Sequence, residues 1–267
     1  MRICSFNVNS VRVRQDLILD YLSEHQPDIV GLQETKVTDE DFPYEPFVDA
    51  GYEVTVFGQK SYNGVAVLSL KEPKAVQLGF KDEPEDAQKR FQCLNFEDGD
   101  AGDLVVINGY FPQGENRSHA TKFPAKIKFY EDLQEHLKGY KPDQKIVVMG
   151  DLNISPEDID IGIKPENAKI WIRNGKCSFL PEEREWIERL KNWGFTDSFR
   201  FLKPEEKAYS WFDFRSGGFK DNRGLRIDQI WITEPLKLRL IDAGIDHKMR
   251  AAERPSDHCL IWSDFKD

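Results

Sequence analysis

Apolar positions in this chain fall into two kinds of run. Short, nearly continuous ones have the length and the β-branched or aromatic content of strands: Arg2–Phe6, Ile29–Leu32, Tyr52–Phe57, Val65–Leu68, Phe91–Phe96, Leu104–Asn108, Ile146–Met149 and Arg226–Ile232. Longer ones recur every three or four residues, as in Ile18, Tyr21, Leu22 and His25 before Pro27, or Phe123, Ile127, Tyr130, Leu133 and Leu137. Trp186, Leu190 and Trp193 follow Pro181-Glu182-Glu183, which puts a proline in the first turn of a helix and acids at the positive end of its dipole. On this pattern Lys122, Lys126, Glu131 and Lys138 lie off the buried face of the middle helix, and His25 is a structural residue of the first. Residues 39–50, with Pro43 and Pro46, read as an irregular loop, Ser61-Tyr62-Asn63-Gly64 as a hairpin-like turn, and Ser256–Trp262 as a turn feeding a final strand. Strands separated by helices in both halves, with no low-complexity linker, predict one α/β domain over residues 1–267.

The ends of these strands carry the chemistry. Val147-Val148-Met149-Gly150 is followed by Asp151 and Asn153 on alternate positions, and the carboxyl ends of strands are where open α/β sheets bind ligands. Asp, Asn, Ser and Pro also favour strand exits for backbone reasons, so this segment alone fits a plain turn equally well. Three other stretches tip the balance. The first strand ends in Asn7 and Asn9, the second in Gln33 and Glu34, and Leu104–Asn108 runs out to Tyr110. Asp228 interrupts an apolar run, and Asp257-His258 precedes the last strand.

Oxygen ligands dominate this set and thiolates are missing, which suits magnesium or manganese rather than zinc. A hard divalent ion held by a few carboxylates, with water still bound, stabilises the charge of a phosphoryl transition state. Asp151 and Asn153 could hold and deprotonate an attacking water, and His258 could donate to a phosphoryl oxygen. Asp228 could orient His258 through its other ring nitrogen, and an aspartate buried without such a partner would be costly. The acidic run Glu157–Gly162 lacks the alternation and terminal Glu of a calcium loop and reads as a solvated turn.

Charge complicates the choice of partner. With 37 basic and 47 acidic residues the chain carries a formal charge of −10, which is not the balance expected of a protein that neutralises phosphates. The positive residues are clustered, however, at Arg12 and Arg14, at Lys122, Lys126 and Lys128, and at Arg215, Lys220, Arg223 and Arg226. Basic loops around one end can hold a polyanion while bound metal cancels the carboxylates beneath. Cys4, Cys93, Cys177 and Cys259 show no paired spacing and read as buried thiols. No window is long and apolar enough to span a bilayer and the N-terminus has no signal-peptide layout, so a cytoplasmic protein away from membranes is expected.

Phe6-Asn7-Val8-Asn9, Leu32-Gln33-Glu34-Thr35, Gly109-Tyr110-Phe111-Pro112, Gly150-Asp151-Leu152-Asn153, Arg226-Ile227-Asp228 and Ser256-Asp257-His258 occur in this order. The set resembles the signatures of the exonuclease III family of abasic-site endonucleases, within the endonuclease/exonuclease/phosphatase superfamily. The likeness extends through Lys176–Trp186 and Asp221–Arg226 and so covers nearly the whole chain. It implies a DNase I-like, four-layered α/β sandwich, two packed mixed sheets flanked by helices with the site at one edge. The implied activity is Mg2+-dependent, with Mn2+ possible: cleavage of duplex DNA 5′ to an abasic site, with 3′ to 5′ exonuclease and 3′-phosphatase action on blocked 3′ ends, by a monomer. Carried over by matching position, Glu34 is a metal ligand assisted by Asn7, and Asp151 activates water beside Asn153. Tyr110 and His258 contact the scissile phosphate, with His258 also on the metal side, Asp228 orients His258, and Asp257 belongs to the metal-side carboxylates. Trp211, Leu225 and Ile227 would line an apolar pocket for the extruded sugar, and Arg215 would contact DNA. Ordinary core packing competes with that role, above all for Ile227. Two positions depart from the family pattern: Leu260 stands where a proline is common, and Asn9 where some relatives carry aspartate.

Two other functions fit parts of the pattern. A magnesium phosphodiesterase acting on lipid or small phosphorylated substrates shares the fold and most of the polar set, whereas the basic loops and the segment from Trp211 to Ile227 favour DNA. A non-catalytic DNA-binding scaffold would leave Glu34, Asp151 and His258 without a task.

Overall fold

A computed structural model describes residues 1–99 and 102–266 of the chain. In order, its elements are β1 (Arg2–Asn7), α1 (Val11–His25), β2 (Ile29–Gln33), α2 (Tyr44–Asp49), β3 (Glu53–Phe57), β4 (Val65–Ser69) and β5 (Ala75–Leu78). Next come β6 (Phe91–Phe96), β7 (Leu104–Tyr110), α3 (Lys122–Leu137), β8 (Lys145–Asp151), α4 (Pro165–Arg173), α5 (Pro181–Trp193), β9 (Thr196–Asp197) and α6 (Ser198–Leu202). The chain ends with β10 (Asp228–Ile232), α7 (Glu234–Lys237), β11 (Leu240–Asp246), α8 (His247–Ala251) and β12 (Leu260–Phe265).

The strands form two six-stranded mixed sheets, ordered β11-β12-β1-β2-β4-β3 and β5-β6-β7-β8-β10-β9. Each has one parallel pair at its centre, β1 with β2 and β7 with β8, and antiparallel neighbours outside it. The parallel pairs are required by connection: α1 carries the chain back between β1 and β2, and α3 between β7 and β8. Ile3, Ile29, Val67, Val106, Val147, Met149 and Ile230 fill the space between the sheets. α1 and α2 cover one outer face through Ile18, Leu22 and Phe47, while α3 and α5 cover the other through Phe129, Leu133, Trp186 and Leu190. The result is the helix, sheet, sheet, helix layering expected of the four-layered α/β sandwich.

Four sequence expectations fail here. Residues 39–50 contain α2, because Pro43 and Pro46 fall at its cap and first turns, where proline is tolerated, and Phe47 is fully buried. Lys126 is not off the buried face of α3: it is 0% exposed and ion-paired with Glu183. Arg226 is no part of a basic surface, since it is buried against Asp160 and Asp197. Asp160, in the supposedly solvated acidic turn, is equally buried and also holds Arg200. The four cysteines are buried free thiols.

Candidate active site

The two parallel pairs end at the same edge of the sandwich. In one sheet Asn7 closes β1 opposite Gln33 of β2, with Glu34 next in the chain. In the other Tyr110, Asp151 and Asp228 stand side by side across β7, β8 and β10. Asn7, 0% exposed, joins the two rows: its Nδ2 donates to Glu34 Oε1 and to Asp151 Oδ2, both at 3.0 Å. The amide thus fixes two carboxylates from different sheets relative to each other. Glu34 leaves the strand in a left-handed conformation and also meets Lys36 Nζ at 2.9 Å and the Tyr110 hydroxyl. Burial works to protonate Glu34, but the Lys36 charge, the Asn7 bond, His258 and Tyr110 together outweigh it and lower its pKa.

Asp151 accepts a second bond, from the Asn153 backbone N–H at 3.0 Å. Asn153 adopts a left-handed turn with φ 55°, a conformation asparagine tolerates, and its Nδ2 donates to Phe111 O at 2.9 Å. His258 Nδ1 lies 2.9 and 3.0 Å from the two oxygens of Asp228, and its Nε2 points towards Asp151 Oδ2 at 3.8 Å. Burial disfavours the imidazolium, but Asp228 and Asp151 outweigh it and the ring holds its proton well above the ordinary histidine range. Asp151 is also raised, but with burial on the same side: burial, with the Asp228 and Glu34 charges, raises its pKa against the pull of His258. Arg90 lies over the Tyr110 ring at 4.3 Å, and burial pushes the phenol well above its usual pKa, helped by Glu34.

Glu34, Asp151 and His258 each offer one ligand atom, and these atoms lie within 4.8 Å of one another. The two carboxylate oxygens, which Asn7 holds relative to each other, fit a divalent cation, while the protonated His258 ring brings an N–H to its side rather than a lone pair. Asp257 is not in this cluster. Its oxygens accept from Asn9 Nδ2 at 2.8 Å and Trp211 Nε1 at 3.0 Å, tying two loops to the rim of the site.

A cavity of about 340 Å³ opens beside His258 and Asn153, walled by Gln113, Ser178, Trp211 and Ile227. Leu225 and Ile227 serve twice: they line this cavity and pack with Phe179 in a small core. Arg215 is exposed at the cavity rim. A second cavity, of about 290 Å³, is lined by Tyr110, Arg90 and Lys122 and shares Gln113 with the first. A larger cavity, about 770 Å³, is at the opposite edge around Ile29, Phe96 and Arg239, away from these groups. Arg90 and Lys36 reach the site although their own sequence positions, a loop before β6 and a turn after Glu34, give no signal beyond charge.

A fold of two packed mixed sheets with an acid, amide and imidazole cluster at one edge defines a class, and the chain belongs to the Endonuclease/Exonuclease/phosphatase family, whose model matches residues 4–258. Within it, the chain is 53% identical to exodeoxyribonuclease III of Haemophilus influenzae, over the full length of both. An AP endonuclease from Archaeoglobus fulgidus is 36% identical with a TM-score of 0.91, both chains fully covered. The 3′ phosphatase NExo from Neisseria, solved bound to a product DNA hairpin, is 34% identical with a TM-score of 0.90, again over all of both chains. The chain is therefore a homologue of exodeoxyribonuclease III, a hydrolytic nuclease of DNA. Among the described residues no helix is long and apolar enough to cross a membrane.

Proposed function

We propose that this protein is a Mg2+-dependent DNA repair nuclease of the cytoplasm, one domain acting as a monomer on duplex DNA. It cuts 5′ to an abasic site to leave a 3′-hydroxyl, and trims or dephosphorylates blocked 3′ ends. The observation that carries this reading is the convergence of Glu34, Asp151 and His258 within 4.8 Å, beside a cavity walled by Trp211 and Ile227. Glu34, fixed by Asn7 and with Asp151 beside it, would hold Mg2+ or Mn2+, which would supply Lewis-acid stabilisation of the charge developing on the phosphate.

The rest falls to the chain itself. Asp151, fixed by Asn7 and by the Asn153 backbone N–H, accepts a proton from the attacking water, and Asn153 flanks that water. His258, kept protonated by Asp228, offers its Nε2–H to a phosphoryl oxygen. Tyr110 stands at the same edge and orders Glu34 through its hydroxyl. Trp211, Leu225 and Ile227 receive the sugar, which costs less to extrude when it has no base to unstack. Arg215, Lys176, Arg90 and Lys122, around the two cavities, supply local positive charge for phosphates on a chain that is acidic overall.

The test is a duplex carrying one tetrahydrofuran abasic analogue. Magnesium-dependent nicking on its 5′ side is expected, together with phosphate release from a 3′-phosphorylated duplex. An intact duplex after incubation, with turnover of a phosphoinositide instead, overturns the reading.

A further inference from the structure

Among the described residues, Lys126 and Glu183 are the most thoroughly buried ion pair outside the strand-tip cluster: both side chains are 0% exposed. They come from different helices, α3 and α5, and neither touches Glu34, Asp151 or His258. A buried pair of this kind is often no more stable than apolar residues of the same volume, and although Glu183 caps the N-terminus of α5, that cap needs no lysine. The hydrogen bonds of the pair account for it. Lys126 Nζ donates to Glu183 Oε1 at 2.5 Å, to the backbone oxygen of Asn153 at 2.9 Å and to that of Gln113 at 3.3 Å. Glu183 Oε2 accepts from the backbone N–H groups of Ser178 and Leu180, both at 2.8 Å. The pair therefore grips three separate loops, and Gln113, Asn153 and Ser178 each line the cavity beside His258. α3 reaches the Asn153 loop a second time, through the Tyr130 hydroxyl on Leu152 O at 2.8 Å.

We infer that Lys126 and Glu183 are a positioning pair for the reaction: together they set where Asn153 stands beside Asp151 and how far apart the Gln113 and Ser178 walls of the cavity lie. This rests on the proposed nuclease function. The two arms have different tasks. The lysine arm holds carbonyls, hence Asn153 and the attacking water; the glutamate arm holds N–H groups, hence the Ser178 wall. Misplacing a catalytic group by about 1 Å costs on the order of 100-fold in rate, so loosening the lysine arm should appear in kcat.

The test is the double variant K126M/E183Q. It buries no unpaired charge, keeps an amide oxygen for the Ser178 and Leu180 N–H groups, and removes the lysine's donors to Asn153, Gln113 and position 183. On the tetrahydrofuran duplex at saturating Mg2+, kcat should fall about tenfold or more while KM stays within about threefold. Circular dichroism and thermal melting establish that the variant is folded at the assay temperature. A folded double variant with kcat within about twofold of the parent overturns the proposal. The reversed pair K126E/E183K keeps an ion pair but presents the wrong polarity to every backbone partner, so it should not restore kcat; restoration would show that only the charge pairing matters and would likewise overturn it. If the double variant does not fold, K126Q/E183Q is the second arm: it is neutral, keeps a side-chain hydrogen bond between the two positions and leaves fewer N–H donors for Asn153 and Gln113, so it is expected to lose kcat about fivefold or more with intact secondary structure. Unchanged kcat in K126Q/E183Q, or failure of both variants to fold, assigns the pair to stability alone. The parent protein is the internal control: its failure to nick the duplex counts against the nuclease reading, not against the pair.

Discussion

Replacing Asp228 with asparagine tests whether the carboxylate works through His258. The side chain of Asp228 is 0% exposed and both its oxygens lie within 3.0 Å of His258 Nδ1. Asparagine keeps the shape but removes the charge that holds the imidazolium, and can offer the ring only one oxygen. Removing one partner of a buried charge pair costs roughly 3–5 kcal/mol, and each ~1.4 kcal/mol is a factor of ten in rate. Part of that cost falls on the folded state rather than on the transition state, which places the expected loss at about 100- to 1,000-fold in kcat. Single-turnover nicking of an end-labelled tetrahydrofuran duplex measures it, with protein and Mg2+ both saturating and melting curves confirming the fold. The D228N/H258N double variant completes a cycle: if Asp228 acts only through His258, the double should be no slower than H258N alone. Additive losses, or a D228N protein within about threefold of the parent, would refute the assignment.

Three further outcomes follow from the geometry. Glu34→Gln keeps an oxygen for Asn7 but loses a negative charge at the proposed cation site; the Mg2+ concentration for half-maximal nicking should rise at least about tenfold, and a parent-like magnesium titration would remove Glu34 as a ligand. Gly150→Ala should destabilise by about 3 kcal/mol or more, lowering the melting temperature by roughly 6–12 °C, because φ is 142° and a Cβ would lie 1.9 Å from Gly109 O; an unchanged melting curve contradicts this. For Asp160, burial favours protonation but the charges and hydrogen bonds of Arg226 and Arg200 outweigh it, so the folded pKa is lowered. Its contribution to stability is then present above the unfolded value of about 3.9 and is lost as pH falls through the lower folded value. Urea unfolding of Asp160→Asn should show a deficit at pH 7 that shrinks at pH 3, and an equal deficit at both pH values would refute the linkage.

The strand tips were legible because each one breaks a local pattern. Asn7, Glu34, Tyr110 and Asp151 each follow an apolar run, and that is a signal a sequence can carry. β5 and β11 were not foreseen: both are edge strands, β5 with Val76 and Leu78 exposed and β11 with Asp242, Gly244 and Asp246 along it, so neither has the apolar content of an interior strand. The charged interior was invisible for a different reason. Lys126, Asp160 and Arg226 read as surface residues, and Glu183 as a first-turn acid, because each is neutralised by a partner distant in sequence, Lys126 and Glu183 lying 57 positions apart and Asp160 and Arg226 lying 66 apart. Only the fold brings such partners together, and no local spacing encodes them.

What brings Glu34 to Asp151 is the packing of one sheet on the other, since they belong to different sheets and are bridged by the Asn7 amide. That packing is not purely apolar. Asn108 of β7 donates across the interface to Ala66 O at 3.0 Å and Leu32 O at 3.2 Å, and accepts from Gln33 Nε2 at 2.7 Å. These directional bonds specify one register where an apolar interface alone would tolerate several. Gly31 makes the approach possible, because a Cβ there would lie 2.6 Å from Met149 Cε and 2.7 Å from Asn108 Oδ1. Gln33, which takes part in this contact, is the residue before Glu34, so the contact that fixes the sheets also fixes where the chain turns out into the site. Metal-binding and proton-accepting groups are therefore set by strands inside a packed core, with the flanking loops left to shape the cavity, and that division gives the reacting groups a fixed separation before any DNA arrives.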